Sequence, residues 1–212
     1  MPAKIPWSRF AVATALLLIA STAADRWAYA HILYDRVLEE DWGRMLRVMG
    51  FWPFWLLASI ALVLNDWPRR TAAALYPALM RGWLLIASVT ASGLAGEILK
   101  LIFRRERPRA HGGAYYFRPF TDRPFSSGGL ALPSSHAIIA FGAATMLSRL
   151  YPRAAPVWYL LAIGCGLTRV MAQAHFVSDV AASALVAWAV AAWLWRRHER
   201  RIERRLPSGR PA

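Results

Sequence analysis

The chain has 212 residues, of which 57% are hydrophobic, and its formal net charge is +14. This length fits a single domain over 1–212. Several apolar runs approach the length that crosses a bilayer, so the composition excludes an ordinary soluble basic protein and predicts a membrane protein. A lone cysteine, Cys165, excludes an intramolecular disulfide and a CxxC metal site. No nucleic-acid-binding module is recognisable, so we expect no nucleic-acid partner.

Hydrophobic runs predict an all-α integral membrane bundle of about six transmembrane helices. In chain order the runs are Phe10 to Ala24 or onward to Tyr34, Val48 to Leu64, Gly82 to Phe103, Ser134 to Leu147, Ala155 to Ala172, and Val177 to Trp195. Several are shorter than the roughly 20 residues of a full span, so we expect polar helix ends or tilted helices. The first run follows Lys4 and Arg9 and also fits a cleaved signal peptide.

Segment 31–49 joins the first two runs and has apolar residues at a helical spacing. This pattern predicts an amphipathic helix that lies on the outer membrane surface or packs against the bundle. Most basic residues fall in the N-terminus, in segments 65–81 and 148–154, and in the tail 196–212, which predicts that these parts are cytoplasmic. Segment 104–132 is also rich in arginine but lies on the other side, where we expect it to meet an anionic partner.

Lys100 lies near the outer end of the third predicted helix, and Arg107 precedes the helix-stopping Pro108. A lysine point charge and a forked arginine can bind different oxygens of one phosphoryl group. The alternative is that Lys100 only reaches toward lipid headgroups. Glu97 lies one turn before Lys100, and we expect the two side chains to pair.

The stretch Pro133-Ser134-Ser135-His136 opens the fourth predicted helix. Ser134 is a good N-cap, and the unpaired backbone N–H groups of the first turn attract an anion. His136 lies beside them, where it can protonate a leaving oxygen. The alternative is ordinary helix capping with a histidine at the membrane interface.

Arg169 ends the fifth predicted helix, and His175 and Asp179 open the sixth. The i, i+4 spacing places His175 and Asp179 on one helical face, so Asp179 can accept a hydrogen bond from one ring nitrogen and leave the other free to attack. The alternative is an ion pair between Asp179 and Arg169. The acidic residues are too few and too scattered for a zinc or two-metal site, so we expect no metal and no cofactor.

These three stretches, in this order and spacing, resemble the type 2 phosphatidic acid phosphatase and haloperoxidase superfamily. Its pattern is K-x6-R-P, then P-S-G-H, then S-R-x5-H-x3-D, and the match covers residues 100–179. Ser135 stands where the pattern has glycine, and Thr168 where it has serine. The first difference bears on specificity more than on the reaction, because the backbone N–H donor remains.

The resemblance implies a role for each residue. His175 would be the nucleophile, Asp179 its orienting partner and His136 the general acid. The phosphoryl group would be held by Lys100, Arg107, Arg169, Ser134 and Ser135. Phosphoryl transfer requires mainly positioning and charge compensation, so three fixed cations are consistent with the metal independence that the resemblance implies.

We therefore expect a phosphatase in the bacterial inner membrane, with its active site facing the periplasm and a phosphohistidine intermediate. The expected partners are membrane lipids and a lipid phosphate or pyrophosphate substrate. Undecaprenyl pyrophosphate is the first candidate; phosphatidylglycerol phosphate, phosphatidic acid and the lipid A phosphates follow. We expect the loop 109–132 to cover the substrate headgroup. The alternatives are a lipid-to-lipid phosphotransferase of the same fold and a non-catalytic lipid-binding protein.

Overall fold

A computed structural model of the chain describes residues 7–67 and 72–204. These residues form seven α-helices and no β-strand, which confirms the all-α prediction. The helices are α1 (Trp7–His31), α2 (Asp41–Val48), α3 (Trp52–Asp66), α4 (Ala72–Phe103), α5 (Ser135–Leu150), α6 (Ala155–Met171) and α7 (Val177–Glu203). Short 3₁₀ turns at Asp35–Leu38, Pro108–His111 and Pro152–Ala154 lie in the connections.

Four of the described helices are long and apolar enough to cross a membrane. They are α1, α4, α6 and α7, and a fifth span results if α2 and α3, which are bent by 64°, count as one. The central helix α5 has only 16 residues, fewer than the roughly 20 of a full span. The chain is therefore a multi-pass membrane protein, whereas the number of six spans stays a prediction.

The short helix α5 is almost wholly buried and lies at the centre of the bundle, in contact with α4, α6 and α7. Every side chain from Ala140 to Leu147 is buried, and most of them are small or apolar. The Ser88 hydroxyl of α4 donates to the Gly142 carbonyl at 2.9 Å. Small residues let membrane helices approach closely, which favours their packing in lipid. This packing fixes the N-terminus of α5 against its neighbours.

The predicted amphipathic segment contains a 3₁₀ turn and the helix α2, and α2 packs against the bundle. A Cβ added to Gly164 of α6 would meet the Leu46 side chain at 2.7 Å, so the two helices touch there. Trp42 and Met45 of α2 are 43% and 59% exposed, so their contact with lipid stays a prediction. The second predicted span, Val48 to Leu64, corresponds to α3, which begins later, at Trp52, because the chain bends after α2 and Pro53 favours a new first turn.

Consecutive long helices alternate in direction, so their connections separate into two ends. Segments 32–51, 104–134 and 172–176 lie at one end, where the Tyr34 N–H donates to the Met171 carbonyl and the Arg109 N–H to the Gln173 carbonyl. Every predicted site residue lies in or beside these segments. The C-terminal end of α3, the N-terminal end of α4, segment 151–154 and the C-terminal end of α7 lie at the other. The arginines of α7 from Arg196 to Arg201 lie at this second end; the rest of the predicted basic tail, 205–212, lies outside the described residues.

Two arginines of the loop between α4 and α5 form hydrogen bonds with other residues of the same loop. Buried Arg104 donates to the carbonyls of Arg118, Pro119, Asp122 and Pro124. Arg118 donates to the Glu106 carboxylate at 2.6 Å. Arg104 and Arg118 therefore organise the loop from within, and the expectation that the loop meets an anionic partner stays a prediction. The role of this loop as a headgroup cover stays a prediction.

Candidate active site

His175 lies in the tight connection between α6 and α7. Gln173 adopts a left-handed conformation with φ of 50°, and the backbone N–H groups of Ala174 and His175 both return to the Arg169 carbonyl. This turn folds back over the end of α6 and places the imidazole in the interior, where the residue is 3% exposed. His175 is therefore a buried residue on a short, internally bonded turn.

The ring of His175 is oriented by a backbone carbonyl. Nδ1 lies 2.9 Å from the Ala131 carbonyl oxygen, which can only accept, so Nδ1 carries the proton. No described residue hydrogen-bonds to Nε2, which retains its lone pair. The predicted hydrogen bond from His175 to Asp179 is wrong, because Nδ1 and Asp179 Oδ2 are 3.8 Å apart. The carbonyl of Ala131, from the loop before α5, takes that place.

Asp179 belongs to the first turn of α7, and its side chain is fully buried. Its Oδ2 accepts the Phe176 N–H at 2.7 Å, and its Oδ1 accepts from the Arg105 guanidinium. The alternative ion pair with Arg169 is not formed. Asp179 thus holds the start of α7 and the adjoining His175 turn, while its charge is balanced by Arg105.

The three predicted cations come from three different segments, and the charges of all three act on His175. Lys100 lies in the last turn of α4, and Arg107 precedes the 3₁₀ turn Pro108–His111. Arg169 lies in the last turn of α6. Burial first, and then the charges of these three side chains, lower the pKa of His175 well below its usual value of 6.5. The imidazole is therefore neutral at physiological pH. The charges of the same three cations also act on His136.

Arg169 is buried without a full set of partners. The residue is only 6% exposed, and its Nε and Nη1 have no hydrogen-bond partner among the described residues. A buried charged donor without an acceptor is costly, and a bound anion would satisfy it. The guanidinium of Arg169 therefore has two buried N–H groups that an anionic ligand can use.

Ser134 and Ser135 open α5 in different ways. Ser134 is the N-cap, and its Oγ lies 3.5 Å from the Ala137 nitrogen. Its backbone N–H donates to the Ser183 hydroxyl at 2.9 Å, which ties α5 to α7. The Ser135 hydroxyl instead donates to Glu97 at 2.8 Å and accepts from Lys100. This hydroxyl, which the glycine of the pattern would lack, helps to hold the lysine.

The expected pairing of Glu97 with Lys100 is confirmed, with 3.0 Å between Oε1 and Nζ. His136 follows Ser135 in the first turn of α5 and lines a cavity of about 280 Å³ with Arg44, Arg47, Val48 and Phe51.

The described part of the chain contains no group of three or more His, Cys, Asp or Glu side chains that could hold a metal ion. Metal independence itself stays a prediction.

Sequence reasoning missed the residues that anchor the His175 turn from a distance. Arg105 is buried and donates to Asp179 and to the Ser178 hydroxyl. Asp25 of α1 is also buried, and its carboxylate accepts from the Ser178 N–H at 2.9 Å and from the Tyr115 hydroxyl at 2.8 Å. An acidic residue within an apolar helix is a functional candidate by default, so the position of Asp25 in the first hydrophobic run is a sequence feature that indicates this role. Arg105 lies beside Arg104 and Arg107 in the sequence, and no local pattern distinguishes it from them.

The fold and this site together define a helical membrane bundle with a cluster of cationic and histidine side chains at one of its ends. The chain matches the model of the PAP2 superfamily over residues 81–203, a range that contains all three motifs. The chain therefore belongs to the PAP2 superfamily, which confirms the resemblance seen in the sequence.

Two curated relatives each match more than half of the chain. Lipid A 1-phosphatase of Rhizobium johnstonii is 38% identical over 125 residues, which are 57% of this chain and 49% of that protein. Lipid A 1-phosphatase of Rhizobium etli is 38% identical over 121 residues, 53% of this chain and 50% of that protein. The chain thus spans about half the length of the curated relatives it matches. No solved structure matches it significantly.

Proposed function

We propose that this protein is a membrane lipid phosphatase that acts through a phosphohistidine on His175. The observation that carries the proposal is the buried guanidinium of Arg169, whose Nε and Nη1 lack partners among the described residues. It lies near a neutral histidine whose Nε2 is free. An anion held by the arginine would therefore adjoin a nucleophile, which is the arrangement that covalent phosphoryl transfer requires.

In the first step Nε2 of His175 attacks phosphorus, and the bond from phosphorus to the lipid oxygen breaks. The negative charge of the bound phosphate favours the protonated form of His136, which gives its proton to that oxygen as the lipid leaves. Arg169, Arg107 and Lys100 compensate the charge of the phosphoryl oxygens, assisted by Ser134 and the backbone N–H of Ser135. The second step returns His136 to its starting state: it takes a proton from water as the water attacks the phosphohistidine, and inorganic phosphate leaves.

The Ala131 carbonyl keeps the proton on Nδ1 during attack and stabilises the positive ring that forms when Nε2 is phosphorylated. Asp179 supports this stage at a distance of 3.8 Å, through its negative charge and through the turn that it anchors. Both groups act on the nucleophile and do not touch the substrate. Asp179 is thus a positioning residue in this mechanism.

The substrate class includes undecaprenyl pyrophosphate and the lipid A phosphates. The names of the two relatives favour a lipid A phosphate, and both substrates present a phosphate at the membrane surface. Phosphatidylglycerol phosphate and phosphatidic acid share the same chemistry. The positive-inside rule assigns the basic end of α7 to the cytoplasm, and the active-site end then faces the periplasm across the bacterial inner membrane.

The experiment is phosphate release by the detergent-purified protein in EDTA, with these lipids as substrates and His175→Ala as the matched control. We expect release that continues in EDTA and disappears in the variant. Transfer of labelled phosphate to a second lipid without free phosphate would instead identify a phosphotransferase. Release that persists in His175→Ala would contradict the assigned nucleophile.

A further inference from the structure

The cavity beside His136 contains two arginines that the mechanism above does not use. Its walls are Arg44, Arg47, Val48, Phe51 and His136, and its volume is about 280 Å³. Arg44 and Arg47 are three residues apart on α2, so they share one helical face. The cavity therefore joins a basic face of α2 to the proposed general acid.

Packing fixes α2 relative to the active site. A Cβ on Gly50 would lie 2.6 Å from the Cβ of His136, so the chain after α2 is in direct contact with the start of α5. Leu46 contacts Gly164 of α6, the helix that carries Arg169. The Met49 carbonyl accepts the indole N–H of buried Trp55 at 2.7 Å. Arg47 lies between Leu46 and Gly50 in the sequence, so the contacts of these two residues hold its backbone close to His136.

The two arginines differ in how their charges are balanced. Arg44 lies 3.5 Å from the Asp41 carboxylate and donates to the Leu38 carbonyl. Arg47 forms no side-chain hydrogen bond or ion pair with any described residue. Its charge acts on both His136 and Arg169, and therefore adds to the positive potential of the site. An anion in the cavity would compensate Arg47 without displacing a partner.

We propose that Arg47, assisted by Arg44, forms a second anion subsite on the leaving-group side of the scissile bond. The inference rests on the proposed function, because His136 identifies that side by donating to the leaving oxygen. A substrate that fits both subsites is a lipid diphosphate. The terminal phosphoryl group would lie among Lys100, Arg107 and Arg169, and the second would face Arg47. Val48 and Phe51 would contact the first carbons of the lipid chain.

The diphosphate reaction keeps the same chemistry. Nε2 of His175 bonds to the terminal phosphorus, and the bond from that phosphorus to the bridging oxygen breaks. The bridging oxygen leaves as part of a lipid monophosphate and takes the proton of His136. Water then releases inorganic phosphate from His175. Arg47 compensates the charge on the lipid monophosphate as it departs.

Binding of small anions tests the subsite independently of turnover. Titration calorimetry would give the affinities of inorganic pyrophosphate and inorganic phosphate for the detergent-purified chain, for Arg47→Gln and for the control Arg36→Gln. Arg36 is an exposed arginine at the same end of the bundle, where it pairs with Glu39 at 3.2 Å. We expect Arg47→Gln to reduce the preference for pyrophosphate over phosphate about tenfold, as loss of one charge-assisted contact implies. Arg36→Gln should leave the preference unchanged.

An unchanged preference in Arg47→Gln, or an equal loss in both variants, would overturn the subsite and assign Arg47 to general attraction of lipid headgroups. Turnover separates this outcome from failure of the proposed function. Phosphate release with an unchanged ratio of kcat/KM for lipid diphosphate and monophosphate would contradict the subsite alone. A lost pyrophosphate preference in a protein that releases no lipid phosphate would support the subsite and contradict the phosphatase.

Discussion

The guanidinium of Arg105 donates to the carboxylate of Asp179, and both side chains are buried. The two residues are far apart in sequence, and their pairing joins the loop after α4 to the first turn of α7. The same guanidinium donates to Ser178 at 2.9 Å, and Ser178 in turn donates to Asp25 of α1. His175 therefore lies on a turn that three separate segments hold in place.

Arg105→Ala should lower the free energy of unfolding by about 3–5 kcal/mol, because it leaves the buried Asp179 carboxylate without its cation. SDS titration in mixed micelles measures this change. The matched double variant, Arg105→Ala with Asp179→Asn, should lose less than the sum of the single losses, since it buries no unpaired charge. Additive losses would show that the two side chains do not interact as the structure indicates.

His136→Ala should reduce turnover of lipid phosphates by about 10²–10⁴-fold, the usual contribution of a general acid. The loss should be at least about tenfold smaller with p-nitrophenyl phosphate, because nitrophenolate leaves without protonation. Pre-steady-state release of the leaving group from both substrates checks this, because it precedes the hydrolysis of the phosphohistidine, in which His136 also acts. Equal losses on the two substrates would assign His136 to binding rather than to proton transfer.

Ser135→Gly restores the residue that the family pattern has at this position. We expect kcat/KM to change by less than about tenfold, because one hydrogen bond contributes roughly 1 kcal/mol and Glu97 still holds Lys100. Lys100→Met is the contrasting variant and should lose far more, since it removes a cation from the site. A loss in Ser135→Gly as large as that of Lys100→Met would mean that the hydroxyl itself serves the reaction.

His175 should remain neutral as the pH falls through 6.5, because burial and the adjoining cations lower its pKa. The unfolded chain binds a proton at this residue near pH 6.5 and the folded chain does not. The contribution of His175 to stability therefore decreases as the pH falls below that value. Nitrogen-15 NMR of labelled histidines, assigned with His175→Ala, measures the titration. Protonation near pH 6.5 would contradict the buried, cation-rich environment.

The sequence predicted the local features of the site well. Lys100, Arg107 and Arg169 follow from motif spacing next to apolar runs, and all three act on His175 in the structure. Ser134 was predicted as an N-cap from its position before an apolar run, and its Oγ faces the Ala137 nitrogen. These features depend on residues within a few positions of one another, where periodicity and capping preferences are informative.

The sequence did not predict the contacts that cross the bundle. The Ala131 carbonyl, rather than Asp179, orients His175, and Ala131 and His175 are 44 positions apart. Asp25 reaches Ser178 across 153 positions. Such pairings depend on how the helices pack, which the order of apolar and polar residues leaves open. The i, i+4 spacing brought Asp179 near His175, but the Phe176 N–H and Arg105 take its oxygens.

Trapping of the covalent intermediate tests the central claim most directly. Undecaprenyl pyrophosphate labelled with phosphorus-32 in its terminal phosphate, or a labelled lipid A phosphate, would be mixed with the protein and quenched in alkali within milliseconds. We expect an alkali-stable, acid-labile label on the peptide that contains His175, and no label in His175→Ala. Label on another residue, or turnover by His175→Ala without any labelled peptide, would contradict the account.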